Sequence, residues 1–194
     1  MMFQHLLMRL GAPEDIINSS YSDFEDIPRL GDAGIRKIMD SFDRVPDYEK
    51  TLSDYSASDI NVITYLDSEY PANLREISDP PPVIYFKGNK EAWTSKYIAI
   101  VGTTKASQDG IGLAVDLSRE LIQRGFGIIS GLAAGIDSAA HLGALKESGR
   151  TIAVLGCGVL NIYPEENITL SESILKDGLV FQNTLRSGAS QSRG

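Results

Sequence analysis

Ile98-Ala-Ile-Val-Gly-Thr-Thr-Lys-Ala-Ser107 and, further along, Gly127-Ile-Ile-Ser-Gly-Leu-Ala-Ala-Gly-Ile-Asp-Ser-Ala-Ala-His141 decide the fold. Each is a short, apolar, β-branched run that ends in small residues and then opens an amphipathic pattern. A strand-to-helix turn of this kind leaves backbone N–H groups free at a helix N-terminus, which favours anions and phosphates above all. The small residues Gly131, Ala133, Ala134 and Gly135 let a phosphate approach closely, and equally let helix and strand pack tightly.

Outward from these turns, the pattern after Tyr97 reads strand, helix 108–124, strand 126–130, helix 136–148, strand 151–155, helix 167–177, strand 178–182. Strands alternating with helices predict a doubly wound, mainly parallel α/β sheet with right-handed crossovers. Upstream, Asn61–Leu66 and Val83–Phe86 are further strand candidates, separated by the stiff Asp79-Pro-Pro-Pro82. The α/β domain therefore covers 61–186, shortened at its C-terminus, with a polar linker over 51–60 and a flexible tail over 187–194. Residues 1–50 are helical in pattern and form a small all-α domain. Within it, Ile27-Pro-Arg-Leu-Gly-Asp-Ala-Gly-Ile-Arg-Lys-Ile-Met39 has the spacing of a SAM-like or helix-hairpin-helix module. Asp32 follows its hairpin glycine, Gly31, and opposes a phosphate there, so helix packing or protein contact is the better expectation.

The 194 residues are 42% hydrophobic and 23% charged, an ordinary globular composition. No apolar run approaches the roughly 18–20 residues that span a bilayer, and the N-terminus lacks a cleavable signal pattern. A cytoplasmic protein without membrane contact is expected. The single cysteine, Cys157, excludes an internal disulfide and is expected to pack at a strand end. With two histidines beside it, neither a metal site nor a cofactor is expected. The net charge is −8; residues 1–60 hold 12 acidic and 6 basic side chains, the rest 14 and 12. Attraction of the whole chain to nucleic acid is thereby excluded, and any binding needs a local basic feature.

Catalytic and nucleotide motifs are wanting. Gly156-Cys-Gly158 meets Asn161 where a third glycine would complete a dinucleotide fingerprint, and Tyr163-Pro164 blocks the helix that would follow. There is no Gly-Lys-Ser/Thr of a P-loop and no Gly-x-Ser-x-Gly elbow. Ser130 has no base near it in sequence. Asp137 and His141 lie four apart on one helix face, a spacing that suits an acid–base couple but suits ordering of the helix start better.

Ser130-Gly-Leu-Ala-Ala-Gly-Ile-Asp-Ser-Ala-Ala-His141, with Gly149, Thr151-Ile-Ala-Val-Leu-Gly156, Tyr163-Pro164 and Asn167, resembles the DNA-processing protein A (DprA, or Smf) family. Tyr70-Pro71, Leu74, Pro80–Pro82, Lys87-Gly88 and Ile100-Val-Gly102 upstream agree with it. The resemblance implies an extended Rossmann-like fold that binds single-stranded DNA in natural transformation and recombination. It implies contact with a RecA-type recombinase and leaves a homodimer open, with no catalysis. Its implied phosphate-binding residues are Gly102, Thr103, Thr104, Lys105, Ser107, Ser130, Gly131, Leu132, Ala133, Gly135 and Asp137. Thr104 stands where the family usually has arginine, Ala134 where many members have lysine or arginine, and Gln182-Asn183-Thr184 where Ser-Glu-x-Pro is common. The chain is thus identified as a truncated or divergent member with weak, salt-sensitive binding. Nucleotide sensing in the same pocket is the alternative. N-glycoside hydrolysis is disfavoured, since Pro-Gly-Gly-x-Gly-Thr is missing.

Overall fold

Up to Ala57 the chain builds helices only: α1 (Met2–Leu10), α2 (Pro13–Ile17), α3 (Tyr21–Phe24), α4 (Asp32–Phe42) and α5 (Val45–Ala57). The computed structural model describes residues 2–94, 96–156 and 158–182. Cys157 and the predicted tail at 187–194 lie outside the described residues. The apolar faces of α1 to α4 close on a core of Leu6, Ile16, Phe24, Ile27 and Ile35. Local chemistry marks the helix starts. Pro13 opens α2, and the Asp15 carboxylate accepts from the Ala12 N–H at 2.9 Å, which satisfies one of the donors a helix start leaves over.

Helix α5 departs from expectation. Residues 51–60, read as a linker, are helical to Ala57 and anchored to the sheet. Val45, Tyr48, Leu52 and Tyr55 recur at helical spacing, and Tyr55 is buried edge-on against Tyr85, with ring centroids 5.4 Å apart. Such a pair contributes about 0.5–1.5 kcal/mol beyond the area it buries. Burial pushes the Tyr85 hydroxyl up to about 12, so the ring stays neutral.

Among the described residues six strands follow: β1 (Asn61–Thr64), β2 (Val83–Gly88), β3 (Tyr97–Ala99), β4 (Gly127–Ser130), β5 (Thr151–Val154) and β6 (Leu179–Gln182). They form one sheet in the order β1-β2-β6-β5-β4-β3. Strands β3 to β6 are parallel, as expected, while β1 and β2 extend the sheet antiparallel beyond β6. All four residues of β6 are buried, which explains its unbroken apolar start, Leu179-Val-Phe181.

The crossovers are α7 (Gln108–Gln123), α8 (Ile136–Lys146) and α9 (Ile168–Ile174), with α6 (Ala72–Arg75) between β1 and β2. The parallel strands advance in one direction, so right-handed crossovers bring α7, α8 and α9 to one face. On that face Ile100, Ile128, Ala140 and Ala144 form one cluster, and Leu132, Ala153, Ile174 and Val180 join another with Tyr55. The opposite face packs Ile84, Phe86, Ile152, Leu179 and Phe181 against Tyr70, Ala92 and Trp93. Among the described residues, no helix is long and apolar enough to cross a membrane.

Candidate nucleic-acid interface

Parallel strands deliver their C-terminal ends to one rim of the sheet. The loops after β3, β4 and β5 meet there, the edge at which open α/β sheets take ligands. Gly102–Ser107 forms the first turn and Gly131–Gly135 the second. Ser107 caps α7 by accepting the Gly110 N–H on its hydroxyl at 3.1 Å. Gly135, at φ +78°, lies under the first turn, where a Cβ would stand 2.4 Å from the Thr103 carbonyl oxygen. The Ile136 N–H donates to that same oxygen at 3.2 Å.

The structure brings the two predicted turns together, and Asp137 is what joins them. Its carboxylate accepts the Gly102 N–H at 3.3 Å and the Gly131 N–H at 3.1 Å. The side chain is only 7% exposed. Asp137 therefore occupies the anion position at the start of α8 and satisfies amides that a phosphate would otherwise receive. In this arrangement the carboxylate positions the two turns against each other.

Two further predicted contacts turn their side chains inward. The Ser130 hydroxyl is buried and donates to the Ile100 carbonyl at 2.6 Å. Leu132, at φ +59°, is fully buried in the core beneath the second turn. Gly131, Ala133 and Gly135 are half-buried and form the floor. What faces solvent is the first turn: Gly102, Thr103, Thr104, Lys105 and Ser107 are all exposed. Lys105 makes no ion pair to the described residues. Its N–H donates to the Thr103 hydroxyl at 3.2 Å, whereas the Thr104 N–H donates to none of them. With the unshared first-turn amides of α7, this surface is suited to receiving an anion.

The Asp137–His141 couple is not assembled. His141 is fully buried and pairs through Nδ1 with the Thr151 hydroxyl at 2.7 Å. Thr151 spends its own hydrogen on the Ile128 carbonyl, at 2.9 Å. Nδ1 must then be the donor, which leaves Nε2 as a buried lone pair without a partner among the described residues. Burial pushes this imidazole down to about 4. It is neutral and structural at neutral pH. Asn167, in sequence only one residue of a motif, has a defined task. Its side-chain amide donates to the Leu132 carbonyl and to the Ser138 hydroxyl, both at 2.8 Å, and ties the loop after β5 to the second turn. The spacing from Tyr163-Pro164 to Asn167 was the available signal.

Fold and rim together define a Rossmann-like α/β protein with an exposed turn at the C-terminal ends of its parallel strands. The family model described as DNA recombination-mediator protein A matches residues 61–193. The chain belongs to that family, also known as DprA or Smf. Protein Smf of Synechocystis is 34% identical over 184 residues, which covers 91% of this chain and 46% of that protein. The crystal structure of DNA processing protein A from Streptococcus pneumoniae superposes with a TM-score of 0.74 at 31% identity. It covers 93% of this chain and 62% of that one. DNA processing protein A from Helicobacter pylori, whose structure addresses its single-stranded DNA binding mode, gives a TM-score of 0.55 at 26% identity, over 66% of this chain and 56% of that one. The chain spans about half the length of the Synechocystis relative.

Proposed function

We propose that this protein binds single-stranded DNA through its first turn, as a cytoplasmic DprA-like component of DNA uptake and recombination. It would present the strand to a RecA-type recombinase and carry out no chemistry itself. The observation that carries the reading is the exposed Gly102–Ser107 turn, with Lys105 in no ion pair among the described residues, in a family whose H. pylori member binds single-stranded DNA. Binding is weak, because Thr104 supplies no charge and Asp137 already engages two of the glycine amides. A charge-assisted hydrogen bond to phosphate contributes about 1.5–3 kcal/mol, so one missing arginine accounts for roughly a ten- to hundredfold loss of affinity.

Fluorescence anisotropy of a labelled single-stranded oligonucleotide, at low and moderate salt, tests this. Affinity should fall as salt rises. Lys105→Ala should weaken it and make the logarithmic salt slope about 0.7 shallower, and Thr104→Arg should strengthen it about tenfold or more. Absence of binding by the parent at low salt would overturn the reading. The uncharged Thr104 and Ala134 would then favour a compact nucleotide, and thermal shift against a nucleotide panel would follow.

A further inference from the structure

Folding hides aromatic rings, and this chain hides every described one except Tyr163. The other tyrosines, the phenylalanines and Trp93 are buried or half-buried, whereas Tyr163 is 76% exposed. An exposed tyrosine on a polar surface would call for no explanation. Position makes this one informative. Tyr163 belongs to the loop after β5, on the same rim as the two turns. That loop is not left to wander. Asn167 accepts no freedom of its own, since its side chain is bonded to Leu132 and Ser138 and its N–H donates to the Pro164 carbonyl at 3.0 Å. Tyr163 is therefore held within one turn of chain of an anchor on the second turn. Leu160, on the same loop, is 54% exposed and adds apolar surface. The loop leaves β5, two positions from β3 in the sheet, and Asn167 returns it to the second turn, so Tyr163 stands on the rim that also carries the first turn.

A phosphate site that shares its rim with an exposed planar ring has the layout of a single-strand platform, in which cations and amides hold the backbone and a ring receives a base. The geometry points to Tyr163 as a base-stacking residue for an unpaired nucleotide whose phosphate is held at Gly102–Ser107. The inference rests on the DNA reading above and sharpens it. Duplex DNA, with its bases already stacked, has no face to offer this ring. The hydroxyl plays no part, because stacking uses the ring alone.

The test compares two single-stranded oligonucleotides of equal length and charge, one of thymidine and one of abasic sites, by anisotropy at low salt. The parent should prefer the thymidine strand. Tyr163→Ala should lose roughly 5- to 150-fold in affinity for it, with binding of the abasic strand and the salt slope unchanged. Tyr163→Phe should behave as the parent. Equal affinity of the parent for both strands, or equal loss on both in Tyr163→Ala, would overturn the stacking role while leaving phosphate binding intact. A parent that binds neither strand would overturn the DNA reading and this inference with it.

Discussion

Asp137 shows how a residue picked for one task can hold another. From sequence, an acid at the start of a helix in a glycine-rich motif belongs to a binding surface. In the fold, its two oxygens clasp the amides of Gly102 and Gly131 and bind the ends of two neighbouring strands together. Asp137→Ala removes both bonds, and each hydrogen bond to a charged acceptor contributes about 1.5–3 kcal/mol. Because Gly102 is exposed and water replaces part of that loss, the expected destabilisation is about 2–3 kcal/mol in urea denaturation. A variant as stable as the parent would show that Gly135 and Ile136 hold the turns without the carboxylate.

Among elements, the decisive joints are α7 on α8 and α8 on the sheet. Helices α7 and α8 approach so closely at Gly143 that a Cβ there would meet the Val115 carbonyl oxygen at 2.5 Å. Gly143→Ala is expected to push the pair apart at a cost of about 1–3 kcal/mol, visible as a lowered Tm. His141 links α8 to β5 and, through Thr151, to β4. Its folded value of about 4 lies below the unfolded value of about 6.5. The unfolded chain thus takes up the proton first as pH falls. Stability is complete above about pH 6.5 and declines toward about pH 4, with about 2 kcal/mol lost by pH 5. Denaturation midpoints from pH 7 to 5 check this, and His141→Gln should flatten the slope between pH 6.5 and 5. An unchanged slope in that variant would place the titrating group elsewhere.

At the scale of the whole molecule, the parallel half was legible because each strand is a short β-branched run followed by a helical stripe. The antiparallel addition of β1 and β2 was not, since strand order depends on pairings between distant segments rather than on local pattern. Both turns could be located from their glycines and strand ends. Which side chains they present could not, because the inward course of Leu132 and the clasp of Asp137 depend on a positive φ and on contacts 35 residues apart in sequence. The exposure of Tyr163 is likewise a property of the finished surface. The stripe Val45, Tyr48, Leu52 and Tyr55 was present in sequence but diluted by polar neighbours, so α5 passed for a connector.

The anchoring of α5 bears on how the molecule can be divided. The family match begins at residue 61, which makes that residue a tempting place to cut. A protein trimmed there loses Tyr55 and Ile60, and Tyr85 and Val180 lose part of the lid above them. The result would be an oily seam along the sheet, prone to clumping in solution. A shortened version that keeps the sheet well behaved should begin before Val45.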